Sequence, residues 1–449
     1  MSSQKSARDV VIVDGLRTPF AKSGSKLKDV HAAEMGRVAL KELIARTNLD
    51  VQQVDEVIVG NTGNPSDAVN ISRVVALGAG LPLKTSAYTV HRNCASAMEA
   101  VSNGYEKIKS GTMDIVLAGG TENMSKLPTL LPPKIQKIFD SLFVAKGPGQ
   151  ALPLLWSLFK ADVKQIKALL SGNMKDEYFP VISVMQGLTD PFVGINMGQT
   201  AEILAKEWGL SRRTQDEFAL RSHLLASKAW KEGRLKEEVT PLFVNDYKEV
   251  LAEDFGPRDS QTIEALGKLK PFFDKATGTI TAGNACPITD GAAMLLLMSR
   301  EKAESLGHKP LARIRSYAFA GLEPERMGLG PVYSTAVALK RAGMSMKDIG
   351  LIELNEAFAA QVLSCQKAFD SDKFGQEKLG LSSKLGGFGD EILNVNGGAI
   401  AIGHPVGATG TRLVVTLMKE MQRRKVQFGL ATLCIGGGQG GSMILELEA

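Results

Sequence analysis

Short apolar segments alternate along the chain with longer segments whose apolar residues recur at helical spacing. The short runs are predicted strands: Val10–Val13, Val57–Val59, Ile115–Leu117, Leu351–Leu354, Leu430–Leu433 and Met443–Leu445. The longer stretches are predicted helices: Ala32–Arg46, Ala95–Lys109, Ser334–Ala342 and Gly410–Arg424. Strands that alternate with helices are typical of parallel sheets with crossover connections. We therefore predict an α/β fold built on parallel sheets.

The two ends of the chain resemble each other. VDEVIVGN (residues 54–61) is similar to KDIGLIELN (residues 347–355). In each half, a longer segment also begins around a reactive side chain, Cys94 or His404, continues through a helix and a strand, and ends in glycines. With 449 residues, the chain exceeds the roughly 250–300 residues at which single cores stop growing. This pattern predicts a duplicated α/β domain.

Residues 126–175 differ from the rest of the chain. They contain eight lysines, no arginine, five prolines and only two acidic residues, Asp140 and Asp162. Within them, Leu154–Leu170 is amphipathic at helical spacing. We interpret this region as an insertion carried on the core, with a helix that packs on its own protein, on a partner or on a membrane surface.

The net charge is +5, from 53 basic and 48 acidic residues, which suits an anionic ligand without indicating nucleic acid.

The four cysteines have the spacing of neither a zinc site nor a disulfide scaffold, so we expect no metal and a reducing compartment. No apolar core of a signal peptide follows the first residues, and no run reaches the length of about 18 that spans a membrane. We expect a soluble cytoplasmic protein, or a mitochondrial-matrix protein if a presequence has been removed.

Cys94 and His404 are candidates for nucleophilic chemistry. Cys94 precedes a predicted helix, where unpaired N–H groups and the helix dipole favour a thiolate. A lone cysteine is more often a small buried apolar residue, but this context favours a functional one. His404 lies between glycines in IGHPVG, a loop that lets a substrate approach the backbone closely. This placement makes His404 a candidate base for a thiol.

Two further candidates follow predicted strands. Cys434 ends one strand and precedes the glycine run 436–438, whose N–H groups could form an oxyanion hole. Asn355 follows another strand, where it is either a helix N-cap or a group that holds a water or an oxyanion. Two thiols, an imidazole and N–H donors suit a reaction in which one thiol carries an acyl group and the other moves a carbon-bound proton.

Several motifs together resemble the signatures of the thiolase family: NCASAMEA, TAGNACPITDGAA, LIELNEAFAAQ, NVNGGAIAIGHPVGATGTR and CIGGGQGG. The resemblance extends from about Val10 to Glu446. It implies two βαβαβαββ halves stacked as α-β-α-β-α layers, with a loop domain inserted in the first half. The implied N-terminal half comprises residues 1–127 and 257–305, the inserted domain residues 128–256, and the C-terminal half residues 306–449.

The same resemblance implies a role for each candidate. Cys94 would be the acylated nucleophile, His404 would activate it, and Cys434 would be the acid and base at the substrate α-carbon. Asn355 would hold a water that forms one oxyanion hole with His404. The N–H groups of Cys94 and Gly436 would form the other oxyanion hole.

Coenzyme A and acyl-CoA are the implied substrates, with no permanently bound cofactor. Arg258, Met197 and Cys286 fall where the family contacts the coenzyme or lines the thioester site. The insertion and segments such as RSHLLASKAW are closest to the β subunit of the fatty-acid-oxidation multienzyme complex. Two positions depart from the pattern: that branch often has His at the position of Asn355, and thiolases usually have Ser at that of Cys286, whose thiol is a weaker hydrogen-bond donor.

The implied activity is cleavage of 3-ketoacyl-CoA by CoA in β-oxidation, and a biosynthetic acetoacetyl-CoA thiolase is the alternative. A decarboxylating ketoacyl synthase normally lacks the second active-site cysteine, and a non-catalytic acyl-CoA-binding scaffold would lack Cys94 or His404. The resemblance further implies a homodimer or homotetramer, a hydratase/dehydrogenase α subunit as a partner, and membrane-surface contact through residues 126–175. The residues leave open the acyl chain length and the physiological direction.

Overall fold

The computed structural model describes residues 6–172 and 176–448. The strands are β1 (Val10–Arg17), β2 (Ala21–Lys22), β3 (Glu56–Gly60), β4 (Ser86–Val90), β5 (Ile115–Glu122), β6 (Thr129–Leu130), β7 (Val181–Ile182), β8 (Leu242–Val244), β9 (Glu249–Leu251), β10 (Thr289–Ser299), β11 (Ala312–Gly321), β12 (Leu351–Leu354), β13 (Phe428–Ile435) and β14 (Gln439–Leu447). The helices are α1 (Ala32–Thr47), α2 (Ile71–Gly78), α3 (Ser96–Lys109), α4 (Pro133–Phe143), α5 (Pro148–Ser171), α6 (Ser183–Gly187), α7 (Met197–Glu207), α8 (Arg212–Lys231), α9 (Ile263–Gly267), α10 (Arg300–Ser305), α11 (Gly330–Ala342), α12 (Ala359–Phe369), α13 (Asp372–Leu379), α14 (Ala399–Ile402) and α15 (Thr409–Arg424). Residues 127–189 form one compact unit, and the chain on both sides of them forms a second, larger unit.

The larger unit contains a duplicated sheet. Its N-terminal half has the order β4-β3-β5-β10-β1, and its C-terminal half has the order β12-β13-β14-β11. Numbered along the chain, the N-terminal order is 3-2-4-5-1, and the C-terminal order is 2-4-5-1 if the number 3 is reserved for a strand after β12. A single parallel bridge between Ile352 and Leu393 lies where the third strand of the C-terminal half would be. The two halves join through a short antiparallel pairing of β1 with β11.

Five layers make up the larger unit. Helices α1 and α2 cover the outer face of the N-terminal sheet, and α11 and α12 cover the outer face of the C-terminal sheet. Helices α3 and α15 pack against each other between the two sheets. In β10, Leu295 and Leu297 face this central core whereas Leu296 faces the outer one, as expected of a strand buried on both faces. The predicted α-β-α-β-α arrangement is confirmed.

All six predicted strands and all four predicted helices of this unit are confirmed, with shifted ends; α11 begins at Gly330 and not at Ser334. The prediction of parallel sheets is confirmed for β3 with β4 and β5 and for β12 with β13, and it is wrong for the remaining strands. Strand β10 runs antiparallel to β1 and β5, and β14 runs antiparallel to β11 and β13. A tight glycine turn joins β13 to β14, so this pair needs no crossover helix.

The smaller unit is built on the packed helices α4 and α5 and the β6–β7 pair. The predicted helix at 154–170 is confirmed and begins earlier, at Pro148, because a proline fits the first helical turn. Leu154 and Leu158 of this helix are half-buried. The exposed stripe is formed instead by residues three, four and seven apart: Leu152, Leu155, Trp156, Phe159, Val163, Ile166 and Leu170. Lys175 of the lysine-rich segment lies outside the described residues.

Candidate active site

Cys94 lies in a tight turn between β4 and α3. The turn contains a backbone bond of 3.0 Å from the Ser96 N–H to the Asn93 carbonyl. Asn93 has a φ of 45°, a region that asparagine tolerates better than most residues. Its amide donates across the molecule to the carbonyl of Gly436, at 2.8 Å. This bond holds the cysteine turn of the N-terminal half against the glycine turn of the C-terminal half.

The Cys94 thiol is half-buried, and burial raises its pKa. The N–H groups of Gly436 and of Cys94 itself donate toward the sulfur and lower the pKa, but by less. Helix α3 begins at Ser96, after the N-cap residue Ala95. Our expectation that the helix start favours a thiolate is therefore wrong for the protein without substrate, because desolvation outweighs the N–H groups. The thiol needs a base.

Cys434 is a fully buried thiol next to last in β13, just before the glycine turn. Gly437 and Gly438 adopt φ values of 89° and 74°, which glycine adopts without strain. A Cβ on Gly438 would also lie 2.4 Å from the Leu322 carbonyl oxygen, so the turn needs glycine there. Burial raises the pKa of Cys434 well above its ordinary value, and the nearby Cys94 adds to the rise. Cys434 is therefore a neutral thiol beside Cys94.

His404 is buried, and its two ring nitrogens have different surroundings. Nδ1 lies 2.6 Å from the hydroxyl of Thr409. Nε2 has no hydrogen-bond partner among the residues that the structure describes. Burial, aided by the charge of Arg412, lowers the pKa of His404 to about 3. The imidazole is thus neutral near pH 7 and has one unpaired nitrogen.

The loop that carries His404 is held by the N-terminal half. The buried carboxylate of Glu122, at the end of β5, accepts from the Gly407 N–H at 2.9 Å and from the Asn61 amide at 3.1 Å. Gly120 lies so close that a Cβ there would be 1.9 Å from the Gly407 carbonyl oxygen. The loop therefore lies over the carboxyl ends of β3 and β5, on the same side of the N-terminal sheet as the turn after β4.

Asn355 follows β12, and its backbone N–H continues the sheet by donating to the Thr432 carbonyl at 2.9 Å. Its side chain is fully buried, and within residues 6–172 and 176–448 neither amide atom has a partner. The N-cap alternative is wrong, because the next helix begins at Ala359 after the N-cap residue Phe358. An unpaired buried amide costs about 1–3 kcal/mol. Such a group indicates a position that water or substrate completes.

Two of the three predicted coenzyme contacts lie beside these residues. The Cys286 N–H donates to the carbonyl of Ala357 at 3.0 Å. Burial raises the pKa of the Cys286 thiol to about 12, and the neighbouring Cys94 adds to the rise. Met197 begins α7, and its sulfur lies 3.4 Å from where a Cβ on Gly436 would be. Cys94, Cys286, Cys434, Met197 and Gly436 are therefore neighbours.

Arg258 is exposed on the loop between β9 and α9. It lies near His223, whose pKa is lowered to about 4, first by burial and then by the charge of Arg258. No contact described for Arg258 joins it to Cys94. The structure thus places the third predicted coenzyme residue at the surface, apart from the thiols.

Four residues of this region were not predicted: Asn93, Glu122, Glu356 and Thr409. Glu356 directly follows Asn355, and its buried carboxylate is fixed by hydrogen bonds from Ser222 Oγ, Asn394 Nδ2 and the Ile400 N–H. A glutamate inside an otherwise apolar motif was the available signal for it. The other three act through partners distant in the sequence or, for Thr409, through a hydroxyl that no local pattern distinguishes.

The arrangement combines three neutral thiols, a neutral imidazole with one unpaired nitrogen, and N–H donors directed at a sulfur. No cluster of three or more His, Cys, Asp or Glu side chains in the described parts of the chain could hold a metal ion. The site thus suits acyl transfer through a cysteine, on an α/β fold whose two halves each supply part of the chemistry.

Comparison with known proteins agrees with this class. Residues 10–301 match the family model described as "Thiolase, N-terminal domain", and residues 308–447 match "Thiolase, C-terminal domain". The chain therefore belongs to the thiolase family of acyltransferases.

Individual relatives cover the whole length. The chain is 41% identical to the 3-ketoacyl-CoA thiolase of Photobacterium profundum, over 98% of this chain and 97% of the relative. It superposes on the acetyl-CoA acetyltransferase of Bacillus anthracis with a TM-score of 0.83 at 34% identity, covering 98% of this chain and 99% of that one. It also superposes on human mitochondrial 3-ketoacyl-CoA thiolase in complex with CoA, with a TM-score of 0.82 at 34% identity and 98% of each chain covered.

Proposed function

We propose that the protein is a 3-ketoacyl-CoA thiolase that shortens 3-ketoacyl-CoA by two carbons in fatty-acid β-oxidation. The name of the relative that is 41% identical over almost the full chain supports this activity. The observation that carries the mechanism is the meeting of the Cys94 sulfur with the N–H of Gly436, which come from opposite halves of the fold.

In the first step, His404 Nε2 takes the proton of Cys94, and the sulfur attacks the ketone carbon of the substrate. The C2–C3 bond then breaks, so the acyl group stays on Cys94 and the two-carbon fragment leaves as the enolate of acetyl-CoA. Cys434 gives its proton to the enolate carbon. Asn355, through a water, and His404 stabilise the oxyanion of one thioester, while the N–H groups of Cys94 and Gly436 stabilise that of the other.

In the second step, CoA enters as its thiol and attacks the acyl-Cys94 carbonyl. The Cys434 thiolate takes the CoA proton, and the sulfur–acyl bond at Cys94 breaks. The imidazolium of His404 returns its proton to the Cys94 sulfur. All three groups regain their starting protonation, and the products are acetyl-CoA and an acyl-CoA two carbons shorter.

Removing the nucleophile tests this mechanism. In Cys94→Ala we expect thiolysis to be lost and no acyl adduct to form with acyl-CoA, whereas wild type gains one acyl group by intact-mass spectrometry. Cys365→Ala is the control, because Cys365 is also a free thiol but is fully buried and bonds to the Gly328 carbonyl. An adduct that persists in Cys94→Ala would overturn the assignment of the nucleophile.

A biosynthetic acetoacetyl-CoA thiolase is the second candidate. Asn355 favours it, because the multienzyme branch that the sequence resembles often has His at this position. Thiolysis rates over 3-ketoacyl-CoA substrates from four to sixteen carbons distinguish the two activities. A rate that falls steeply beyond four carbons would favour the biosynthetic enzyme, and sustained rates on long chains would favour the degradative one.

We assign the phosphate contact of the coenzyme to Arg258, because an exposed guanidinium can pair with phosphate. Arg258→Ala should raise the KM for CoA with little change in kcat. Arg213→Ala, which removes an exposed arginine that pairs with Glu217 on α8, is the control. An unchanged KM in Arg258→Ala would remove this residue from the coenzyme site.

We further propose that the protein forms homo-oligomers and that its smaller unit binds an anionic membrane surface or the α subunit of a β-oxidation complex. No helix in the described residues is long and apolar enough to cross a membrane. The exposed stripe of α5 includes Trp156 and Phe159, each 60% exposed, and Lys160, Lys164 and Lys167 flank it. Apolar residues bordered by lysines suit an interfacial helix, at roughly 1 kcal/mol per well-placed lysine.

The four free thiols support a reducing compartment, either the cytoplasm or the mitochondrial matrix.

Co-sedimentation with anionic vesicles at low and high salt tests the membrane contact. Binding should weaken steeply with salt and be lost when Lys160, Lys164 and Lys167 are all changed to Gln. The matched control changes Lys28, Lys84 and Lys347, which are exposed outside the smaller unit. If wild type stays in the supernatant at low salt, the membrane contact is overturned, and the exposed stripe is then assigned to binding a protein partner.

A further inference from the structure

We infer that Thr409 is a positioning residue for His404: its hydroxyl fixes the imidazole tautomer that carries the proton on Nδ1 and leaves Nε2 open to accept one. This inference deepens the proposed function, on which the kinetic part of its test depends. Thr409 is the first residue of α15 and is fully buried.

The hydroxyl of Thr409 lies between two groups. It is 2.6 Å from His404 Nδ1 and 2.9 Å from the Pro405 carbonyl oxygen, one helical turn back. A hydroxyl has a single proton, and a carbonyl oxygen can only accept. With that proton on the Pro405 carbonyl, the threonine oxygen faces Nδ1 as an acceptor, and Nδ1 carries the hydrogen. Back-bonding of this kind to the carbonyl four residues earlier is a common conformation of threonine in helices.

The opposite arrangement is less favourable at the other nitrogen. If Thr409 donated to Nδ1, the proton of the neutral ring would lie on Nε2. Nε2 is buried and has no acceptor among the described residues, so an N–H there would be an unpaired buried donor. Buried N–H groups without an acceptor are rarer than buried acceptors without a donor. The Nδ1–H tautomer instead leaves a lone pair on Nε2, as proton transfer from Cys94 requires.

The same turn of α15 also keeps the ring neutral. Arg412, three residues after Thr409, is fully buried and pairs with Glu353 at 2.9 Å. Its positive charge disfavours the imidazolium form of His404. The first turn of α15 thus supplies the hydroxyl that sets the tautomer and a charge that opposes protonation before substrate binds.

The tautomer can be read directly by nitrogen NMR on protein labelled with 15N-histidine, because a protonated and an unprotonated ring nitrogen have well-separated shifts. The chain has five histidines, and His404 is assigned by the signal that is lost in His404→Asn. We expect wild type at pH 7.5 to show a protonated Nδ1 and an unprotonated Nε2. A wild-type spectrum with the proton on Nε2 would overturn the inference, whatever the kinetics show.

Two substitutions separate the hydroxyl from the packing of the side chain. Thr409→Val keeps the shape and removes the hydroxyl, so the Nδ1–H preference should be lost and acylation of Cys94 should slow by at least about 10-fold, since a positioned base contributes 10²–10⁴-fold. Thr409→Ser keeps the hydroxyl and should retain the tautomer and most of the rate. Thr411→Val is the matched control, because this buried threonine of the same helix bonds to the Ala97 carbonyl and not to His404.

The outcomes are distinguishable from failure of the proposed function. If wild type forms no acyl-Cys94, the proposed mechanism fails whichever tautomer is present. If acylation proceeds and Thr409→Val keeps both the wild-type tautomer and the wild-type rate, only the role of Thr409 is overturned. Should Thr409→Val fail to fold, the wild-type spectrum and the Thr409→Ser variant still test the inference about the tautomer.

Discussion

The two halves of the fold place similar residues at equivalent points and use them differently. Asn61 follows β3 and Asn355 follows β12, the second strand of each half. The Asn61 amide donates to Thr121 and Glu122 and accepts from the Asn64 N–H, so all of its atoms are paired. The Asn355 amide is equally buried, and the described residues offer no partner to either of its atoms. Asn61 therefore stabilises the structure, and Asn355 is available to a ligand.

The same contrast holds at two other equivalent points. Glu122 ends β5 and is saturated with hydrogen bonds, whereas Cys434, next to last in the equivalent strand β13, is a bare thiol. Cys94 lies in the turn that leads into α3, and His404 lies in the loop that leads into α15, the two central helices. At these points the N-terminal half supplies the nucleophile and the hydrogen-bonded side chains Asn61 and Glu122, and the C-terminal half supplies Asn355 and His404, which have unsatisfied polar atoms. At Asn355 and His404, the buried polar atoms without partners are the ones assigned to the chemistry.

Among the substitutions that test this comparison, His404→Asn should have the largest effect on the reaction rate. We expect the rate of Cys94 acylation to fall by about 10²–10⁴-fold, because the proposed base is lost. The change removes the contact of Nδ1 with the Thr409 hydroxyl, but Nε2 makes no hydrogen bond that it would break, so the variant should still fold. Stopped-flow acylation and circular dichroism measure the two quantities, with His308→Asn, in the connection between α10 and β11, as the control. Wild-type acylation in His404→Asn would mean that the unpaired nitrogen is not the base.

Cys434→Ser should separate the two thiols. The serine hydroxyl is too weak an acid near neutral pH to replace the thiol, so exchange of the acetyl-CoA methyl protons with solvent should slow by about 10²-fold or more. Acylation of Cys94 should slow much less. Exchange is followed by NMR in deuterated water, and acylation by mass spectrometry. An equal loss of both steps would assign Cys434 a structural role and break the comparison with Glu122.

The sequence supports much of the fold because periodicity is a local property. The strands and helices around the repeated motifs were predicted from hydrophobic spacing alone, and Cys94, His404, Cys434 and Asn355 stood out by their place next to strands, helices and glycines. Strand direction was not predictable, because pairing joins residues that are distant in the chain. The uninterrupted apolar run of β10 carries no mark of the antiparallel partners on its two sides.

The contacts that assemble the site are more distant still. The bond from Asn93 to Gly436 spans 343 residues, and the bond from Gly407 to Glu122 spans 285. No local pattern predicts such pairs. The protonation state of Cys94 was mispredicted for a related reason: helix position is visible in the sequence, but the burial that raises the thiol pKa is not.

Paired substitutions of the two asparagines should have opposite consequences. Asn355→Ala should lower turnover by about 10²-fold, as expected for loss of an oxyanion-hole group, with little loss of stability. Asn61→Ala removes three hydrogen bonds and should lower the free energy of unfolding by about 1.5–4.5 kcal/mol, at about 0.5–1.5 kcal/mol for each bond. Its turnover per folded molecule should fall less than that of Asn355→Ala. Denaturant unfolding and steady-state thiolysis measure both, and equal effects at the two positions would contradict the assigned roles.

The smallest expected effect is on the pH dependence of the free energy of unfolding. It tests whether His404 is neutral in the folded protein. The pKa of this group falls from about 6.5 in the unfolded chain to about 3 in the folded protein. Between these values the unfolded chain binds more protons, so the contribution is fully present above pH 6.5 and is lost as the pH falls toward 3. At pH 5 the loss is about 2 kcal/mol, from 1.4 kcal/mol for each pH unit below 6.5.

Other titrating groups change stability in the same pH range, so the informative quantity is a difference between two proteins. His404→Asn lacks the contribution of this imidazole and keeps the rest. The free energy of unfolding of wild type minus that of the variant should therefore decrease by about 2 kcal/mol between pH 7.5 and pH 5. Chemical denaturation at the two pH values measures it. A difference that does not change with pH would mean that folding leaves the pKa of His404 near 6.5, which would contradict the desolvated imidazole inferred from its burial.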